Sequence, residues 1–540
     1  MPYSRSESPF FHNGDVQRAI VRLASCDRLV IYCGAGVTID RTGLSWGDLI
    51  AQLFEANDNS RPARDPTQDE VSILRRGLTP LQLASILAER TNEHYPSERA
   101  ARVSLVPKLQ QALYKGAGWQ SGALVSNIIR LAFGLVQLGK TVTIVTSNYD
   151  TYLEEEYEHY RKEIESSLQN GDIPGLIVEA PGIGRPFRNC KPRGAVGSIE
   201  IIYLHGRVPP TGSLGGRLAL SENDYHQLSE SVVRTLKEHF SSRKTGVLIL
   251  GASLTDPPLL KALSDTRRKS DTKDRSLMRR IALMPAASTG FVDQDYDIPR
   301  LVQLMKARTV HFDVELLIPD FHYQIAQFCQ EIFTAVSLQP TPAEYAEPAC
   351  PARYGCRLQH WWEEWQQQGK CGDPEMVFGC LTERLDRVNE LLASDNRVRD
   401  SRDELLKIEL WVRYDPGKES RRLALWGTST CVLQNRRVLH FEDLALTASN
   451  ASLRAFIEGR PQYLGRHDLT EMGSVINSRW QSFLSVPIRI ELPEGVLPVG
   501  VVTLASMRGK DESGIPEDSV KSMNHIIRQL TALGHELLQI

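Results

Sequence analysis

A chain of 540 residues is long enough for two or three domains, each with its own core. Hydrophobic residues at 41% and charged residues at 24% fit an ordinary globular protein, and a formal net charge of -3 does not supply the basic surface that nucleic-acid binding needs. No run is apolar enough to span a bilayer and the first residues carry no signal-peptide h-region, so a cytoplasmic protein without a membrane partner is expected.

In chain order, residues 16–25 read as an amphipathic helix ahead of Leu29-Val30-Ile31-Tyr32-Cys33, a short apolar run that predicts a buried strand. It leads into Gly34-Ala35-Gly36-Val37-Thr38, where the glycines let the backbone bend sharply and approach a ligand. The chain continues through Asp40 and Arg41 into helical spacing over 46–54. Strand, glycine turn and helix can make a phosphate cradle, although G-x-G is also common in simple turns. Residues 62–118 look helical and polar. A long apolar helix over 124–138, stopped by Gly139, precedes the β-branched strand 142–145, which ends in Thr146-Ser147-Asn148-Tyr149-Asp150.

A helix over 152–167 and a glycine- and proline-rich loop over 171–197 come next. A strand over 199–204 then delivers His205-Gly206. A helix over 222–240 and a strand over 247–250 run into Gly251-Ala252-Ser253-Leu254-Thr255-Asp256. Further strands are expected at 281–284 and 309–312, and a helix ends this half near Val336. The alternation predicts an α/β, Rossmann-like parallel sheet with helices on both faces and a helical insertion, binding ligands beyond the carboxyl ends of its strands.

A domain over 1–338 is followed by a proline-rich linker and a helix carrying Trp361, Trp362 and Trp365 (339–375), whose spacing suits core or dimer packing. Residues 376–540 read as an α+β module. It starts with an amphipathic helix, then strands at 406–414 and 423–426 separated by an Asp415-Pro416-Gly417 turn. An antiparallel pair at 483–488 and 499–504 turns across Pro493-Glu494-Gly495, and a terminal helix covers 516–538.

Gly134–Thr141 satisfies G-x-x-x-x-G-K-[ST], but a phosphate loop needs a strand before it and a helix after it. Here the order is reversed, so the match is a coincidence. Nine scattered cysteines form no C-x-x-C pair, so no zinc knuckle, redox dithiol or other metal site is expected.

Gly34-Ala35-Gly36-Val37-Thr38, Thr146-Ser147-Asn148-Tyr149-Asp150, His205-Gly206 and Gly251-Ala252-Ser253, in that order and each after a strand, resemble the sirtuin motif series over roughly 11–336. The resemblance implies that the first motif (Gly34, Ala35, Gly36, Thr38) wraps the NAD phosphates and that Asn148 and His205 flank the nicotinamide ribose. Gly251 and Ser253 would then hold the adenosine side. The four-cysteine zinc module and P-D-F-R continuation of protein-deacylating sirtuins are missing, and Thr38 replaces the usual Ser. Asp256 in G-x-S-x-x-D is similar to the sirtuin-like NADase domains of bacterial antiphage defence proteins, which hydrolyse NAD. Ser485-Val486-Pro487-Ile488, Pro498–Ser506 and Arg460–Leu469 resemble a GAF domain, a family that binds small molecules or dimerises.

Cleaving the N-glycosidic bond of NAD expels neutral nicotinamide and leaves an oxocarbenium-like ribose, so the site must orient the ribose and admit one water. Asn148 can hold a ribose hydroxyl or that water with an uncharged amide; the alternative is a helix cap. His205 can accept a ribose-hydroxyl proton near neutral pH. Asp150 suits loop capping, Asp256 suits either an adenosine ribose or the N-cap before Pro257, and Arg41 either the pyrophosphate or solvent. In the second domain, Asp468 and His467 suit turn roles. The expected function is an NAD glycohydrolase with NAD as substrate, an antiphage effector controlled by its C-terminal domain through a small-molecule or protein trigger. A toxic NADase must be restrained, which predicts a homo-oligomer with access switched through the helical region at 62–118. The alternatives are a sirtuin-like deacylase or ADP-ribosyltransferase, and a non-catalytic nucleotide-binding regulator.

Overall fold

Seven short apolar runs of the first half pair side by side in the computed structural model. They are β1 (Arg28–Cys33), β2 (Thr141–Thr146), β3 (Gly175–Glu179), β4 (Ser198–Tyr203), β5 (Thr245–Leu250), β6 (Arg280–Leu283) and β7 (Glu315–Leu317). All pairings are parallel, in the order β3-β4-β2-β1-β5-β6-β7. With β2 on one side of β1 and β5 on the other, the strand order reverses at β1, where such sheets bind ligands. The structure describes residues 10–55, 77–95, 97–114, 122–167, 173–180, 197–216, 218–242, 244–267, 279–285, 298–338, 342–348, 350–368, 373–394, 404–416, 422–433, 440–444, 450–471, 479–492 and 495–539.

The strands read as continuous hydrophobic runs because helices cover both faces. The helices of this half are α1 (Gly14–Ala24), α2 (Ile39–Thr42), α3 (Trp46–Glu55), α4 (Pro80–His94), α5 (Glu98–Tyr114), α6 (Leu124–Gln137), α7 (Tyr152–Ser167), α8 (Glu222–Phe240), α9 (Pro257–Asp265), α10 (Ile298–Val310) and α11 (Tyr323–Ser337). Ile31, Ile144 and Leu248 meet α1, α6 and α11 on one face, while Val30, Val145 and Val247 meet α8 and α9 on the other. Helices α3, α4 and α5 form the insertion, with a core of their own (Leu53, Leu83, Leu87, Leu109, Leu113) that closes over Tyr149 and Val208. Gly139 follows α6 at φ +77, the left-handed geometry of a helix stop, and Thr141 opens β2, so the phosphate-loop lookalike is indeed reversed.

Two expectations are corrected. Residues 309–312 are no strand: Thr309 and Val310 finish α10, the chain turns at Asp313 (φ +57), and β7 starts only at Glu315. A β-branched pair is too short a signal to override a helix already propagating. The loop expected over 171–197 contains β3, an edge strand whose Leu176-Ile177-Val178 run is only three residues long and follows Pro174-Gly175, which read as a loop signal. Residues 62–76 and 115–118 of the expected helical region lie outside the described residues. So do 181–196 of the loop, 339–341 of the linker, and Gly417, Pro493 and Glu494 of the two turns.

The second half contributes α12 (Tyr354–Gln367), α13 (Pro374–Ser394), β8 (Leu406–Arg413), β9 (Arg422–Thr428), β10 (Phe441–Asp443), α14 (Ala451–Glu458), β11 (Gln462–Gly465), α15 (Arg466–Glu471), β12 (Ser482–Leu492), β13 (Gly495–Ser506) and α16 (Val520–Leu538). The strands make an antiparallel sheet in the order β10-β9-β8-β13-β12-β11. One face packs on α13 and α16, the other on α14 and Tyr323 of α11. The tryptophans of α12 are core: Trp361 and Trp365 are buried and donate their indole N–H to Leu538 O (2.9 Å) and Leu537 O (2.8 Å) at the end of α16. Among the described residues, no helix is long and apolar enough to cross a membrane.

Candidate functional site

Loops after β1, β2, β4 and β5 meet at the carboxyl edge of the parallel sheet. Gly34 and Gly36 donate N–H to Leu250 O and Gly251 O, each at 2.9 Å. A Cβ on Gly34 would stand 2.5 Å from Gly251 O, and one on Gly251 (φ +63) 2.4 Å from Val37 N. The glycines thus let two site loops touch backbone to backbone, which no side chain would permit.

On the β2 side of that contact, a chain of hydrogen bonds fixes three expected site residues. The Thr38 hydroxyl donates to Asp150 Oδ2 (2.8 Å) and accepts from Asn148 Nδ2 (3.1 Å). With its single proton committed to Asp150, Thr38 can only accept from Asn148, so the amide is held with Nδ2 toward Thr38. Burial pushes the Asp150 carboxyl up to about 6, against the opposing pull of the Thr38 hydrogen bond. Asp150 Oδ1 also accepts from Tyr152 N (3.4 Å) at the start of α7, the loop-fixing role its position suggested. Ala35, Thr38, Trp46, Asn148, Asp150 and Tyr225 line a cavity of about 120 Å³. Arg41 is not a free loop charge: it is buried and paired with Glu156 at 2.6 Å.

His205 ends β4 beside this cavity without lining it. The side chain is 1% exposed, its Nδ1 has no hydrogen-bond partner among the described residues, and burial pushes its pKa down to about 4, so the ring is neutral at neutral pH. The Tyr225 ring lies 4.6 Å from it, tilted by 35°. Two residues on, Arg207 grips Glu154 of α7 with two N–H donors (2.6 and 2.7 Å), tying the loop after β4 to the helix after β2.

The residues after β5 are placed apart from this chain. Ser253 is exposed, with its hydroxyl 2.6 Å from that of Thr255. Asp256 is the N-cap of α9, accepting from Leu259 N, and it also receives the Tyr32 hydroxyl at 3.3 Å. Among the described residues, no three His, Cys, Asp or Glu side chains cluster as a metal site requires.

Residues 142–309 match the family of the SIR2-like domain. That stretch holds Asn148, His205, Ser253 and Asp256, and it fits a sirtuin-like, NAD-dependent function for this part of the chain. No curated protein matches the chain at a significant level.

Tyr225 and Trp46 escaped the sequence reading. Tyr225 sits within an amphipathic helix, where nothing local separates a site-lining ring from a core one, and Trp46 reaches the cavity only because α3 folds over the sheet edge. Tyr149, by contrast, lies inside the motif that carries Asn148.

Proposed function

We propose that the chain is an NAD glycohydrolase, cleaving NAD with water to nicotinamide, ADP-ribose and one proton. The observation that carries this reading is the Thr38–Asn148–Asp150 hydrogen-bond chain at the carboxyl ends of β1 and β2, next to a buried neutral imidazole. Asn148, held by its Nδ2, presents Oδ1 as an acceptor for a ribose hydroxyl or the attacking water. An amide there orients these groups without itself attacking the cationic ribose. Neutral His205 accepts the ribose-hydroxyl proton through an unprotonated ring nitrogen. The glycine contact brings the loops after β1 and β5 together around the remainder of the dinucleotide, with Ser253 and Asp256 on its adenosine side.

The biological role that accords with this chemistry is an antiphage effector in the cytoplasm, a homo-oligomer whose GAF-like C-terminal part receives a small-molecule or protein trigger. The six-stranded antiparallel sheet with helices on both faces is compatible with a GAF-like module. Size-exclusion chromatography giving only an active monomer would remove the oligomer from this proposal.

The deciding experiment is chromatography of NAD incubated with the purified chain. Nicotinamide and ADP-ribose are expected from wild type and are lost in Asn148→Ala and His205→Ala. NAD binding without nicotinamide release, in wild type and in a variant whose site has been opened, overturns the assignment.

A further inference from the structure

A base must touch the proton it takes, yet His205 is 1% exposed. The Tyr225 side chain lines the cavity with Asn148 and Asp150 and also lies against the imidazole, ring centres 4.6 Å apart and tilted by 35°. Tyr149, next to Asn148 in the chain, lines the same cavity. Tyr149 in turn donates to Ala219 O, and Ala219 N donates to His205 O (2.9 Å). Tyr225 thus meets both the cavity that Asn148 lines and the imidazole of His205.

The stretch that leads into α8, the helix carrying Tyr225, is held from outside the sheet. It comprises the described residues 207–216 and 218–222, and three side chains of the helical insertion grip it. Ser85 Oγ of α4 accepts Glu222 N (2.9 Å), Gln110 Nε2 of α5 donates to Pro209 O (2.8 Å), and the Tyr114 hydroxyl donates to Val208 O (2.6 Å). Ser85 makes one partly exposed hydrogen bond to this stretch and Gln110 two, the second to Gly212 O at 3.2 Å, beside the packing of Val208, Leu218 and Leu220 in the insertion's core. At about 0.5–1.5 kcal/mol each, the polar part of the grip is of the size a binding event can release.

We infer that Tyr225 is the access residue of His205: clamped by the insertion it shields the imidazole, and the cavity joins His205 when α4 and α5 release the start of α8, one turn before Tyr225. This rests on the reading of His205 as the ribose-hydroxyl base. It assigns the insertion a task that a purely supporting subdomain would not have, the control of whether base and amide face one space.

The test reads His205 directly. The full chain is treated with diethyl pyrocarbonate, which acylates neutral imidazole, and labelling of His205 is followed by mass spectrometry beside exposed His360 (64% side-chain exposure) and fully buried His239. In wild type, His205 is expected to react at least about tenfold more slowly than His360, and Tyr225→Ala to raise its rate by about tenfold or more while His239 stays protected. Tyr225→Phe, which keeps the ring, is expected to stay slow. His205 reacting as fast as His360 in wild type, or no faster in Tyr225→Ala, overturns the inference. Should Tyr225→Ala lose its melting transition, the Ser85→Ala/Gln110→Ala double variant, which removes three of the four hydrogen bonds of the grip and no core group, carries the same expectation. With NAD added, the opened variants should release nicotinamide faster. Faster labelling without any turnover keeps the access role and overturns the glycohydrolase reading instead.

Discussion

Asp150 is the residue on which the direction of the site's hydrogen bonds depends. As a carboxylate it accepts from Thr38, which leaves Thr38 to accept from Asn148. Protonated, it donates to Thr38, the Thr38 proton is freed, and Asn148 is no longer limited to one amide orientation. With its carboxyl pushed up to about 6, kcat for NAD cleavage is expected to fall on the acid side with a midpoint near that value. Asp150→Asn, able to donate at any pH, should lose the acid limb and about 1–3 kcal/mol of transition-state stabilisation, roughly 5- to 150-fold in kcat. A flat wild-type profile down to about pH 5 would sink this account. Stability runs the other way. An acid whose pKa is raised by folding stabilises the fold below its ordinary value of 3.8, and that contribution is lost as pH rises through about 6. Denaturant melts should therefore show Asp150→Asn gaining about 2 kcal/mol on wild type between about pH 4 and about pH 7.

The strands and turns explain the glycines better than a phosphate cradle does. Gly251 and Gly43 both sit in the left-handed region (φ +63 and +66), but a Cβ on Gly251 meets Val37 N at 2.4 Å, whereas one on Gly43 meets nothing within 4 Å. Gly251→Ala is expected to cost about 2–5 kcal/mol in denaturant melts, backbone strain plus the forced parting of two site loops, and Gly43→Ala only about 1–2 kcal/mol. Equal losses would mean that conformation, not contact, sets the requirement. The legible motifs are those of this kind, short and local: each ends a strand, and a strand end is where backbone geometry demands glycine, Asn or Asp. Edge strand β3 was obscured by its setting, since its three-residue run Leu176-Ile177-Val178 follows Pro174-Gly175 within a stretch rich in glycine and proline.

Helix α11 joins the two sheets. Twelve of its fifteen residues are buried, as expected of a helix packed all round, with α1 and α6 on one side and the antiparallel sheet on the other. Its Glu331 carboxylate is wholly buried and takes bonds from Arg357 of α12, Tyr345 and Gln327 Nε2. Glu331→Gln strands the Arg357 charge in the core and is expected to cost about 3–5 kcal/mol, while Glu331→Leu with Arg357→Met regains most of the loss. Because both sheets draw on α11, calorimetry should show both halves of the molecule melting earlier together; a downshift of only one of two transitions would contradict the shared core. Asp40, two residues beyond Thr38, extends the link toward the site. Its carboxyl is pushed up by burial and held down by the charges of His322, Arg41 and Arg460, so the loop carrying Thr38 borders the antiparallel unit.

The order of strands and helices, the four strand-end motifs and the core face of each helix were written in local patterns, since period and turn chemistry act over a few residues. Asn148 and Thr38 could be named as partners only in kind, because 110 positions separate them and their bond exists only where β1 and β2 lie side by side. The packing of Tyr225 against His205, the grip of Ser85, Gln110 and Tyr114 on the stretch leading into α8 and the burial of α11 between two sheets belong wholly to the tertiary structure. Each is a contact between remote segments whose residues, a tyrosine on an amphipathic helix or a serine on a polar one, look locally like any other. Packing alone turned them into parts of a site.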